Sequence, residues 1–235
     1  MRASRARKAA HFWSLYNGGQ VLDVGVSGNE RSPTQNHFLR NFRGRDEDYT
    51  GLGIDDLAGV ARKHPGKRFV TYSGGRFPFP DGAFDWVFSN AVIEHVGDFE
   101  AQRTFLEEMM RVGKNVFFTT PNRWFPIETH TGVPFLHWIT PLFDRWYAWR
   151  RGRPRAQDLN LLDSRALGTL LEAGGAAEFS LHRGRLLGFT MTFTVICQGR
   201  PTLAELPAVP VRAATPLAAV VAEAEEAPRQ ASGMR

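Results

Sequence analysis

The chain has 235 residues, a formal net charge of +5 and a pI near 9.8, and 43% of its residues are hydrophobic. That length suits one domain of ordinary size with a substantial core and excludes a second full domain. Its apolar runs fall short of the ~20 residues that span a bilayer, and its one cysteine, Cys197, excludes an internal disulfide; a soluble protein of a reducing, cytoplasmic compartment is expected.

The amino terminus carries Arg2, Arg5, Arg7 and Lys8, but no apolar block follows, so it is not a secretory signal. A basic first helix within residues 1–19, packing Phe12, Leu15 and Tyr16 on the domain, is expected in preference to an organellar leader. Gln20–Val24 has the apolar character of a buried strand and runs into the turn Asp23-Val24-Gly25-Val26-Ser27-Gly28-Asn29, where glycines let the backbone approach a ligand without a side chain intervening. Ser32, Pro33 and Gln35 carry the signature of a helix start, which predicts a helix from there to about Phe42. Further strands are expected at Tyr49–Ile54, Arg68–Tyr72, Trp86–Ser89 and Asn115–Thr119. Between the last two, Ala101–Val112 places Phe105, Leu106, Met109, Met110 and Val112 on one helical side.

After Thr120 the alternation breaks. Residues 123–158 are rich in aromatics, prolines and histidines and form a lid-like insertion; a helix resumes over Leu162–Ala173, and two strands around Gly188 close the domain as a hairpin. Residues 200–235 are alanine-rich, free of aromatics and punctuated by proline, which predicts a disordered tail with a short helix at Leu217–Glu226. Strands alternating with helices define a doubly wound, Rossmann-like α/β fold over residues 20–199, mostly parallel, with an antiparallel last strand.

Asp55 ends its strand where a carboxylate can accept hydrogen bonds from two ribose hydroxyls. The order and spacing of Asp23-Val24-Gly25, Gly53-Ile54-Asp55, Phe79-Pro80-Asp81-Gly82-Ala83-Phe84-Asp85 and Ser89-Asn90-Ala91-Val92-Ile93-Glu94-His95-Val96 resemble the class I S-adenosylmethionine-dependent methyltransferases of the small-molecule, type 11 kind. The resemblance covers roughly residues 20–199. It implies S-adenosylmethionine as cofactor, with Asp23, Gly25 and Gly28 at the first turn, Asp55 on the ribose, Ser73 and Gly74 on the adenine side, and Asn90 bordering the cleft. Ser27 and Asn29 stand where the family has glycines, and Ser73 where it often has an acid.

The implied reaction is methyl transfer to an oxygen or nitrogen of a small-molecule or lipid-linked acceptor. His95 and His130 are the candidate bases, His95 being equally readable as a packing residue. The aromatics of the insertion suit an apolar or ring-containing acceptor, or alternatively a satellite core or peripheral membrane contact beside Arg150–Arg155. Glu128, His130 and His137 lack the spacing of a zinc site, so no metal is expected. Nucleic acid is disfavoured for want of an RNA-binding module. Two other readings compete: a non-catalytic methyltransferase-like binding module, and a nicotinamide-dependent oxidoreductase. The second wants G-x-G-x-x-G where this chain has Asp23, Gly25 and Gly28.

Overall fold

A computed structural model describes residues 2–30 and 35–199. The expected tail and its helix lie outside the described residues, as do Ser32, Pro33 and Thr34. Seven strands form one sheet: β1 (Val21–Val24), β2 (Tyr49–Gly53), β3 (Arg68–Thr71), β4 (Phe84–Asn90), β5 (Gly113–Pro121), β6 (Phe179–Leu186) and β7 (Phe189–Gln198), in the order β3-β2-β1-β4-β5-β7-β6. β1 to β5 are parallel, while β7 runs antiparallel to both β5 and β6. β1 and β2 are buried at every position, as central strands covered on both faces must be, whereas the edge strands β3 and β6 are largely open.

Helices cover both faces: α1 (Arg2–Leu15), α2 (His37–Arg40), α3 (Ala58–Lys63), α4 (Phe99–Val112), α5 (Thr140–Arg151) and α6 (Ser164–Ala173). One core layer joins Leu22, Val24 and Val87 to Phe105, Leu106 and Met109 of α4 and to Leu167, Leu170 and Leu171 of α6. The other is aromatic and gathers Phe12, Phe38, Tyr49, Trp86, Phe88 and Phe117. α1 belongs to that second layer: Phe12 is fully buried and Tyr16 half-buried, but Leu15 is exposed, contrary to its expected packing role. α4 begins where Asp98 accepts a hydrogen bond from the Ala101 amide, and the five apolar residues expected in the core are all buried. Cys197 is buried, and burial pushes its thiol up to about 12, as befits a packing residue.

Two local differences from the sequence pattern have clear causes. Of the helix expected from Ser32 to Phe42, the described residues form only the four of α2. Asn36, immediately before it, is left-handed at φ 49°, and its side chain accepts from the Ser27 amide at 3.0 Å while donating to the Ser27 carbonyl at 2.8 Å. A residue clasping a loop 9 positions back in this conformation cannot continue a helix. At the other end, Leu187 and Gly188 both have positive φ, the pair a two-residue hairpin turn requires, so the hairpin forms where glycine marked it.

Candidate functional site

β1 has β2 on one side and β4 on the other, so the connections leave in opposite directions and open a crevice at the strand ends. A cleft of about 570 Å³ lies there, walled by the β1 turn, Gly53 to Asp55, Tyr72 to Gly75, Ala91, Val92 and His95, and by Thr104 and Phe105 of α4. An adjoining cavity of about 250 Å³ shares the β1 turn and Ala91 and adds Asp23, Asn90, His37 and Arg5.

The turn is built from glycine at the points of closest approach. Gly25 has φ 100°, and a Cβ there would overlap the side chain of Val92. A Cβ on Gly28 would meet the Asp56 carbonyl, and one on Gly53 the Val26 carbonyl. The Gly25 and Val26 amides both donate to the Leu52 carbonyl, at 2.8 and 3.0 Å, which ties the turn to the end of β2. Asp55 is exposed at that end, with one carboxylate oxygen accepting from the Gly28 amide at 3.1 Å and from the Ser27 hydroxyl at 3.2 Å. Ile54 beside it is 72% exposed, an apolar face turned to the cleft with nothing packed on it. Ser73 and Gly74 line the opposite rim, next to half-buried Tyr72.

Asp23 does not open freely on the cavity. It is buried, and the Tyr49 hydroxyl donates to it at 2.6 Å. Burial pushes its carboxyl up to about 7 against the opposing pull of that hydrogen bond. The folded group therefore binds its proton more tightly than the unfolded one, so the stability it contributes is complete below pH 3.8 and is lost as pH rises to about 7. Asp23→Asn is expected to flatten stability over that window, read from denaturant melts on either side of it; an unchanged pH slope would contradict the assignment.

Beyond β4 lies a second group of side chains. Asn90 accepts from the Thr119 hydroxyl at 2.9 Å, and Ala91 has a positive φ of 58°, rare for a residue with a side chain. Glu94 is fully buried, with one oxygen taking the Thr120 hydroxyl at 3.2 Å and the other without a hydrogen-bond partner. His130 reaches it from the 123–158 segment, its Nε2 standing 3.6 Å from that second oxygen and 3.1 Å from Nε2 of His95. Glu128 accepts from the His130 ring at 2.8 Å and from the His130 and Thr131 amides at 3.0 and 2.6 Å. Burial pushes the Glu128 carboxyl up, but these bonds outweigh it and hold the group at about 2. For His130, burial opposes charge, yet the Glu128 hydrogen bond and the field of Glu94 raise its pKa.

The structure thus brings Gly25, Asp55, Ser73 and Gly74 to the main cleft and Asp23 and Asn90 to the adjoining cavity; Gly28 lines neither but bonds Asp55, His95 stands on the cleft wall and His130 is joined to His95. His137 stands apart, buried and bonded to the Phe125 carbonyl at 2.9 Å. Asn122 and Arg123 fasten the segment, donating to the Thr190 carbonyl and the Thr140 hydroxyl. Sequence patterning did not point to Arg5 and Lys8 of α1. Lys8 is half-buried and donates to the Thr119 hydroxyl at 3.3 Å; burial lowers its amine to about 8 despite the attraction of Glu94. Its only signal was membership of an amino-terminal basic run.

The 123–158 segment packs in part against the residues that follow it and in part leaves aromatic rings exposed. Phe143, Tyr147 and Leu159 form a satellite core, while Trp124 and Phe135 pack beside Trp138 with exposed faces, and Trp149 is 79% exposed. Of the arginine cluster, Arg153 pairs with Asp158 and Arg155 with Asp144, whereas Arg150 and Arg151 line a cavity with His130, Thr131 and Trp146.

Sheet order, glycine turn and strand-end acid define a doubly wound domain with a crevice at its switch point, the place where ligands bind in open α/β sheets. Residues 22–116 match a family described as methyltransferase domain. Over that stretch, which runs from β1 into β5 and carries the glycine turn and Asp55, the chain is similar to a methyltransferase domain. No curated protein matches the chain by sequence. Among solved structures, it is similar to a methyltransferase of Thermotoga maritima described as a possible histamine N-methyltransferase, at 15% identity and a TM-score of 0.54, over 82% of this chain and 88% of that one. A Methanosarcina mazei methyltransferase gives 17% and 0.52 over 80% and 96%. A putative methyltransferase of Haloferax volcanii, solved in complex with the Trm112 activator, gives 14% and 0.50 over 83% and 89%. These likenesses concern the fold. No helix among the described residues is long and apolar enough to cross a membrane.

Proposed function

We propose that the chain methylates an oxygen or nitrogen of a small-molecule or lipid-linked acceptor, bound between the strand-end crevice and the 123–158 segment. The observation that carries this reading is the His95–His130 contact, which joins the wall of the main cleft to a segment with open aromatic and cationic faces. S-adenosylmethionine supplies a methyl group already activated as a sulfonium, so the protein's tasks are binding, alignment and care of the acceptor's proton.

The cleft suits the cofactor: Gly25, Gly28 and Gly53 let the β1 turn pack closely on Val92 and the β2 end, which sets its backbone at the cleft, and Asp55 offers an exposed carboxylate at the rim. Asp55 holds the ribose hydroxyls, Ile54 and Tyr72 give the base an apolar bed next to Ser73 and Gly74, and the β1 turn with Asp23 and Asn90 takes the amino-acid end. His95 and His130 handle the acceptor's reacting atom. Exposed Trp124, Phe135 and Trp149, and the cations Arg150 and Arg151 that follow Trp149 in the chain, favour an acceptor with an apolar portion and an anionic group, which a lipid-linked phosphate combines.

Incubation with methyl-labelled S-adenosylmethionine and a fractionated cell extract is the test. A labelled product in an organic-extractable or small-molecule fraction is the expected result. Cofactor binding with no labelled product in any fraction would favour a binding module, and label confined to protein or nucleic acid would overturn the acceptor class.

A further inference from the structure

We propose that Glu94, His95 and His130 form a binding site for one divalent transition-metal cation, set between the cleft and the 123–158 segment. The metal-binding atoms of the three side chains lie within 4.8 Å of one another.

The argument begins with the tautomers. Nδ1 of His95 is 2.6 Å from the Asp158 carbonyl, which can only accept, so that nitrogen carries a hydrogen. Nδ1 of His130 is 2.8 Å from a Glu128 oxygen, and both oxygens of that carboxylate also accept from backbone amides, so Nδ1 carries one as well. Each neutral ring then presents a bare lone pair at Nε2, and these two nitrogens face one another at 3.1 Å. Two lone pairs at that distance repel unless a cation lies between them. Glu94 aims at the same point an oxygen that is buried and has no hydrogen-bond partner, 3.6 Å from Nε2 of His130. Bonds of ~2.0–2.1 Å from one ion in tetrahedral geometry separate ligand atoms by about 3.3–3.4 Å, close to both spacings.

The surroundings are also those of a metal site. Ligating histidines usually donate their other ring hydrogen to a carboxylate or a backbone carbonyl, which fixes the ring and raises its basicity; here Glu128 serves one and Asp158 the other. Two imidazoles and one carboxylate suit zinc, iron(II), cobalt(II) or manganese(II) rather than calcium. Three protein ligands leave coordination positions open, and exposed edges of both histidines give the ion a way in. Sequence spacing hid the site because Glu94-His95 and His130 are 35 residues apart. The open positions suit an oxygen of the acceptor. That last step rests on the methyl-transfer reading above; ion binding itself does not.

The test uses the full chain, stripped with a chelator and titrated with Co²⁺ and Zn²⁺. One equivalent of Co²⁺ with visible d–d absorption, displaced by Zn²⁺, is expected. The double variant His95→Gln/His130→Gln should lose this binding, and Glu128→Gln should weaken it about 10–100-fold through the loss of ring orientation. Circular dichroism and thermal melting confirm that each variant is folded. Wild type without saturable binding, the facing nitrogens then sharing a proton, overturns the proposal, as does binding unchanged in the folded double variant. Calorimetry with S-adenosylmethionine separates the two readings. A protein that binds ion and cofactor but labels no acceptor keeps the site and loses the transfer reading; one that labels an acceptor equally well with and without ion loses the acceptor-oxygen step.

Discussion

Replacing Asp55 with alanine is expected to weaken S-adenosylmethionine binding by about 100-fold or more while the protein stays folded. Two hydrogen bonds from ribose hydroxyls to a charged acceptor are worth ~1.5 kcal/mol or more each, and every ~1.4 kcal/mol is a factor of ten. A second effect acts in the same direction. Asp55 also holds the Ser27 hydroxyl and the Gly28 amide, so alanine frees the β1 turn that must meet the ligand. Asp55→Asn keeps an acceptor oxygen but not the charge, and is expected to lose about tenfold. Titration calorimetry reads both variants. Because the side chain is exposed, circular dichroism should be unaltered. Wild-type affinity in the alanine variant would remove Asp55 from the ribose.

Phe12→Ala should cost about 3–5 kcal/mol of stability, the usual range for a large aromatic removed from a closed core. Phe12 is fully buried, with ring contacts to Trp13, Tyr16, Phe38, Trp86, Phe88 and Phe117 at centroid distances of 5.1 to 5.8 Å. It is the point where α1 meets β4, β5 and α2, and no neighbouring side chain can fill the space without leaving its own stack. For a domain of this size the expected fall in Tm is ~10 °C. The effect should reach the site too, because Arg5 and Lys8 are held there by the same helix. A variant that melts within a degree or two of wild type would show that α1 is not integral to the core.

The parallel strands were legible because each is a short apolar run followed by a turn signal, and the Asp23–Gly28 turn and Asp55 because strand ends in such a sheet border the ligand. The helix near Ser32 misled, since local capping signals compete with long-range bonds, and the Asn36 clasp on Ser27 cannot be read from neighbours in sequence. Lys8 illustrates a different limit: a basic residue in a basic run has no mark that distinguishes one half-buried beside Glu94 from one in water. His95 was visible as a candidate base after an expected strand, and His130 as one within the expected insertion. Their meeting was not, because it depends on how the 123–158 segment returns over the sheet.

The position of β7 has a consequence for synthesis. It is the last strand in sequence, yet it lies between β5 and β6. While a ribosome is still translating residues before Phe189, a chain that has folded β1 to β5 carries along β5 a row of backbone donors and acceptors with nothing opposite. β6 cannot cover them, because in the finished sheet it bonds only to β7. A nascent or truncated chain ending between Pro121 and Phe189 therefore exposes a strand template to other chains, and a chaperone that shields this edge would be expected to raise the yield of the full-length protein.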